Sequence, residues 1–160
     1  MPDTPRIEHV PPDGGQHLAV HCETQTAKVG TEQSEGQLLL MTTTTAPGKG
    51  TPLHTHSVHE YFYILDGTYE FRTRYEGVVE TFRAASDSVV HVLPEVSHQY
   101  TNVGKRTARM LTLFTPAMSM QRFLEAVDAL GTREGEPLAL ETPEHLAASG
   151  KGGEGTVCGG

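Results

Sequence analysis

The sequence predicts an all-β chain, an antiparallel sandwich or barrel followed by a C-terminal α-helix. Three observations carry this. Short alternating or β-branched runs recur at intervals of about ten residues, separated by Gly, Pro, Asn or Asp turns, which is the spacing of an antiparallel β-domain. The run Thr42 to Thr45 is β-branched throughout and unsuited to a helix interior. After Pro116 the period changes, and Met120, Phe123, Leu124, Val127 and Leu130 fall at helical spacing.

Taken in order, residues 1–16 are rich in proline and glycine and read as an arm. HLAVHCE, TQTAKV and GQLLLMTTTT follow as strands, the last after a turn at GTEQSEG. A turn at APGKGTP leads to the strand VHEYFYIL, which ends at Asp66-Gly67, a hairpin signal. TYEFRTRY and VVETF form a second hairpin across Glu76-Gly77. Ser86-Asp87 marks the next turn, and Pro94 ends SVVHVL because proline cannot donate to a ladder. HQYTNV and TARMLTLF complete about eight to ten strands. The first helix stops at Gly131, a C-terminal cap. A short second helix is expected at 143–149, begun by Thr142 and Pro143 and stopped by Gly150. The divisions expected are thus an arm at 1–16, a barrel at 17–116, helices at 117–149 and a disordered Gly-rich tail at 150–160.

The bulk properties narrow the partners. A chain of 160 residues is long enough to close one core. Net charge is −8, which argues against nucleic acid or an anionic membrane surface as a partner. No apolar run approaches the ~18 residues of a membrane span, and the N-terminus has no apolar segment for a signal peptide. Cys22 and Cys158 are far apart and make no disulfide framework. The expected compartment is cytoplasmic.

Chemistry concentrates between Gly48 and Gly67. His54 and His56 are two apart, which places both imidazoles on one face of an extended strand, and Glu60 shares their parity. Two imidazoles and a carboxylate form the ligand set of a non-haem divalent site. Burying them with neither metal nor partner would cost several kcal/mol. His98 is the best fourth donor. His17 and His21 read as surface or edge-strand residues. His59 has the opposite parity to Glu60 and points outward or to a rim, and His91 is weighed for a place behind the ligands or in the pocket. Phe62 and Ile64 share the parity of Glu60 and should point into the barrel, whereas Tyr61, Tyr63 and Leu65 face away. Tyr100 shares the parity of His98. Met110, Thr112 and Phe114 form one face of the last strand and Leu111 with Leu113 the other, without a sequence signal for which is inward. Phe62, Ile64, Tyr100, Met110 and Phe114 are therefore the candidate lining of an apolar pocket.

Gly48, His54, His56, Glu60 and Gly67 resemble the first motif of the cupin superfamily: glycine, His-x-His, glutamate and glycine at matching spacing. Pro94, His98 and Asn102 are similar to the second motif. Glu95 or Val96 stands where a turn glycine is usual, and Ser86 or Ser88 where the leading glycine is expected. The resemblance covers about residues 36–115 and implies a cupin, jelly-roll-like antiparallel β-barrel with a C-terminal α-helix. It implies one divalent metal ion (iron, manganese, cobalt, nickel or zinc) held by His54, His56, Glu60 and His98. It implies a turn at Gly67 that lets strands pass, and Asn102 as a support in the sheet. EYFYILDGTYEF followed by a helix is similar to the quercetin 2,3-dioxygenase-like proteins. That implies a metal-dependent dioxygenase acting with dioxygen on a flavonol, polyphenol or polyketide-like aromatic. The substrate hydroxyl or enolate would sit on the metal, with Glu60 as ligand or catalytic base. A metal-assisted polyketide cyclase or isomerase working without dioxygen, and a non-catalytic small-molecule-binding cupin, are the alternatives. A homodimer is the expected assembly.

Overall fold

The computed structural model describes residues 7–130. The expected helix at 143–149, the tail, Cys158, the Gly131 cap and the first six residues of the arm lie outside the described residues. Nine strands and one helix are seen among the described residues: β1 Gln16–Val20, β2 Glu23–Val29, β3 Leu39–Thr45, β4 His59–Asp66, β5 Thr68–Tyr75, β6 Val78–Ala85, β7 Val89–Val92, β8 Ser97–Asn102, β9 Ala108–Thr115 and α1 Met120–Leu130.

They form two antiparallel sheets, one of six strands in the order β1-β2-β3-β9-β4-β7 and one of three in the order β6-β5-β8. The inward residues alternate as a half-buried strand requires. β3 buries Leu39, Met41, Thr43 and Thr45, β4 buries Glu60, Phe62 and Ile64, and β9 buries Ala108, Met110, Thr112 and Phe114. The inward face of the last strand is thus the Met110 face. Tyr63 and Leu65 are exposed on the other side of β4.

Between the sheets, Phe62, Ile64, Tyr69, Phe71, Tyr100 and Met110 pack as one cluster. The wider sheet extends past the narrower one, and helix α1 covers the excess. Leu124 and Val127 pack there with Leu18, Val20, Leu39, Met41 and Phe114. Asp128 Oδ1 accepts the Ala19 N–H at 2.7 Å. This helix is too short to cross a membrane, and no helix among the described residues is long and apolar enough to do so.

Two local readings change. Asp66-Gly67 is not a hairpin turn, since β4 pairs with β7 and β9 while β5 pairs with β6 and β8. The chain crosses there from one sheet to the other. Gly67 has φ +90°, and an added Cβ would lie 2.6 Å from that of Ala108, so the crossing needs glycine. The hairpin at Glu76-Gly77 does join paired strands, both turn residues having positive φ (47° and 81°). The second change concerns His54 and His56. They stand not on a regular strand but on a lead-in that touches β8 through two isolated bridges, Gly50 to Thr101 and His54 to His98.

Candidate metal centre

The four sequence candidates are placed by three pieces of backbone, the lead-in to β4, β4 itself and β8. His54 and His98 exchange both backbone hydrogen bonds, at 3.0 and 2.8 Å, a hydrogen-bonded antiparallel pair that sets the side chains opposite each other. Their ring centroids are 4.2 Å apart. The His56 carbonyl accepts the Glu95 N–H at 2.9 Å, and that turn uses φ +69° at Glu95. The glutamate thus occupies the conformation for which a glycine is usual. Likewise Asp87, not a neighbouring serine, takes the positive φ (68°) in the turn before β7. Glu60 comes from the facing sheet, so the cluster straddles both layers.

One donor atom from each of His54, His56, Glu60 and His98 lies within 4.8 Å of the others. Glu60 Oε2 is 2.7 Å from His56 Nε2 and 2.8 Å from His98 Nε2. Three backbone carbonyls set the tautomers. Nδ1–H of His54 donates to Pro52 O (2.9 Å), that of His56 to Val58 O (3.0 Å) and that of His98 to Val96 O (2.9 Å). In a neutral imidazole held this way, Nε2 carries a lone pair. Lone pairs of His56 and His98 therefore face a carboxylate oxygen, a repulsive arrangement unless protons or a metal ion stand between them. A carbonyl fixing the remote nitrogen is also the usual support of a metal-binding histidine. The residues fit a divalent ion.

Electrostatics agree. Burial favours the neutral form of Glu60, but with protons on Nε2 of His56 and His98 their hydrogen bonds to it outweigh burial and hold the carboxyl at about 2, so it is ionised. Burial and the neighbouring His98 push His54 down to about 3, so it stays a neutral donor. Burial also works against charge on His98, yet its contact with Glu60 wins and raises it.

The interior departs from a uniformly apolar pocket. Phe62, Ile64, Tyr100, Met110 and Phe114 are buried as expected, and the Phe114 ring lies 5.5 Å from that of His56. Glu23, Gln25, Thr43, Thr45 and Thr112 are buried with them. Glu23 accepts Tyr100 O–H (2.7 Å) and Thr45 O–H (2.5 Å), and Tyr69 O–H donates to Thr45 at 3.0 Å. Burial raises the Glu23 carboxyl to about 7. The sequence reading missed Glu23 and Gln25, although their shared parity in CETQTAKV was the signal. It also missed Gly50, where a Cβ would stand 1.8 Å from the Tyr100 carbonyl oxygen.

The other histidines are elsewhere. His59 Nδ1 and His91 Nε2 hydrogen-bond at 2.9 Å, and His91 stacks on Tyr61 with rings 4.3 Å apart. This is the outer face of β4 and β7, so His91 neither lines the interior nor backs a ligand. His17 hydrogen-bonds Thr26 Oγ1 at 2.8 Å, and His21 sits in the β1–β2 turn with φ 50°. Asn102 is fully buried and ties three backbone groups, donating to Thr45 O and Arg106 O and accepting Gly104 N–H.

Comparisons with known proteins agree with this architecture. Residues 41–114 match the family model of the cupin domain, and the two sheets have the cupin β-barrel fold. The polyketide cyclase RemF from Streptomyces resistomycificus is similar in fold, with a TM-score of 0.59, 16% identity, and coverage of 69% of this chain and 80% of that one. The formate complex of Lactobacillus farciminis oxalate decarboxylase matches with a TM-score of 0.56 and 15% identity, over 62% of this chain and 30% of that one. A predicted oxalate decarboxylase from Thermotoga maritima matches with a TM-score of 0.55 and 19% identity, over 62% and 90%. This chain therefore spans under a third of the length of the Lactobacillus enzyme. No curated protein matches the chain.

Proposed function

We propose that the chain is a metal-dependent enzyme acting on a small aromatic substrate, a dioxygenase of the quercetinase-like type on a flavonol, polyphenol or polyketide-like molecule. The observation that supports this is the inward convergence of three carbonyl-locked imidazoles and one ionised carboxylate. His54, His56, Glu60 and His98 would hold the ion. A bound divalent ion supplies Lewis-acid polarisation of a substrate oxygen. The chain supplies the rest. The carbonyl-held imidazoles keep the donors oriented, Phe62, Ile64, Met110 and Phe114 exclude water, and Glu60 is positioned to accept a substrate hydroxyl proton. The purified protein should carry about one divalent ion per chain, as this donor set implies, and consume oxygen with quercetin. His56→Ala should lose both. Failure to take up metal on anaerobic reconstitution would sink the proposal.

Glu23 favours a second reading. A carboxyl raised to about 7 and an ionised Glu60 in one barrel are the two partners of acid–base chemistry, which suits a cyclase or isomerase working without dioxygen. RemF, a polyketide cyclase by name, shares the fold. Turnover of a polyketide-like substrate with a flat oxygen-electrode trace would select it. We also read the chain as a cytoplasmic homodimer. The outer face of β4 and β7 exposes Tyr63 and Val89, which are paired in register, and Leu65 two residues along β4 from Tyr63. Light scattering should give twice the chain mass.

A further inference from the structure

We propose that Tyr100 and Gln25, with Glu23 behind them, form a second ligand contact of the barrel, which takes a phenolic hydroxyl or a carbonyl oxygen of an aromatic substrate. It rests on the reading that the barrel interior is the substrate chamber, and it narrows the substrate to an aromatic with an oxygen remote from the metal-binding donors. Three features point there. First, Glu23 is only 3% exposed, and its neighbours are hydroxyls and an amide, with no cation among its hydrogen-bond partners. A buried carboxyl without a counter-ion is costly in a purely structural role.

Second, Gln25 lies two residues from Glu23 on the same buried face of β2, and no donor among the described residues reaches its buried carbonyl oxygen. An unpartnered buried acceptor costs about 1–3 kcal/mol, which a ligand hydroxyl would recover. Third, the Tyr100 hydroxyl has two settings. With Glu23 ionised, Tyr100 donates to it. With Glu23 protonated, the carboxyl O–H donates to the phenol oxygen, and the phenol hydrogen is released to a ligand oxygen. Donor and acceptor are then both present. Tyr100 and His98 share the inward face of β8, one strand repeat or about 7 Å apart, so one ligand can reach the metal-binding donors and this contact together.

The test uses the full chain, metal-free and zinc-loaded, with 4-fluorophenol and fluorobenzene as 19F NMR probes. The wild-type chain should hold the phenol about tenfold more tightly, one hydrogen bond's worth. Tyr100→Phe and Gln25→Met should each bring the ratio toward one with zinc content unchanged. If Tyr100→Phe does not fold, the volume-matched Gln25→Met still decides. Equal affinity for the two probes, no binding of either, or an unchanged ratio in the folded variants would overturn the inference. Discrimination without oxygen uptake on quercetin would remove the dioxygenase reading and leave this contact standing. Oxygen uptake without discrimination would do the reverse.

Discussion

Individual residues of this barrel are held by backbone as much as by each other. The Nδ1–H bonds of His54, His56 and His98 end on carbonyls one or two positions from neighbouring turns, so a ligand's orientation depends on turns that carry no chemistry. His56→Ala should abolish stoichiometric metal by elemental analysis. Glu60→Gln keeps the shape but removes the charge, and should weaken metal affinity by 10-fold or more, read by chelator competition (about 1.4 kcal/mol or above). Glu23 gives a pH prediction of definite sign. Its carboxyl is raised from 4.5 to about 7 by burial, so the folded chain binds a proton that the unfolded chain releases. Its contribution to stability is fully present below pH 4.5 and is lost as pH rises to about 7, a change of about 3 kcal/mol. Denaturant midpoints across that window should fall less steeply in Glu23→Gln than in wild type.

At the scale of elements, glycines set where chains may cross. Gly67 carries the chain between sheets at φ +90° against Ala108, and Gly67→Val should cost about 3 kcal/mol or more from strain and contact together. Gly50 has a more local role, because its neighbour is the β8 backbone at Tyr100. Gly50→Ala should push the lead-in off β8, separate His54 from His98, and lower metal affinity more than it lowers the denaturation midpoint. Helix α1 covers sheet that the narrower layer leaves open, and Leu124 is its buried centre. Leu124→Ala should cost about 2–5 kcal/mol in denaturant unfolding.

On the scale of the whole molecule, the metal-binding donors join the two sheets. His54, His56 and His98 stand on the narrow-sheet side and Glu60 on the wide one. An ion held by all four would be a cross-link present only in the folded state, since unfolding scatters the donors. Saturating metal should therefore stabilise the fold by about 2.7 kcal/mol at a hundredfold excess over Kd. A chelator should reverse the shift in melting temperature for wild type and produce none in His56→Ala.

Much of this was legible in the linear chain, because strand periodicity and turn chemistry are local. The nine strands, the helix beginning at Met120 and the inward parity of Glu60, Phe62 and Ile64 follow from alternation and from Gly, Pro and Asp punctuation alone. Three metal-binding candidates could be named from spacing, since His54, His56 and Glu60 lie within seven consecutive residues, and His98 from its place at the start of the strand after the Pro94 turn. Partnerships between distant segments belong to the tertiary structure. Asp66-Gly67 has the composition of a hairpin, and only pairing with β7 and β9 makes it a crossing. Glu23 draws no notice in the linear chain until β2 turns it inward onto Tyr100, 77 residues away. His91 is a candidate for the interior until the pleat places it outside, beside the outward-facing His59. Local sequence determined which elements form and which residues share a face. Sheet order, set by burial across long separations, decided which faces meet and which charges are left inside.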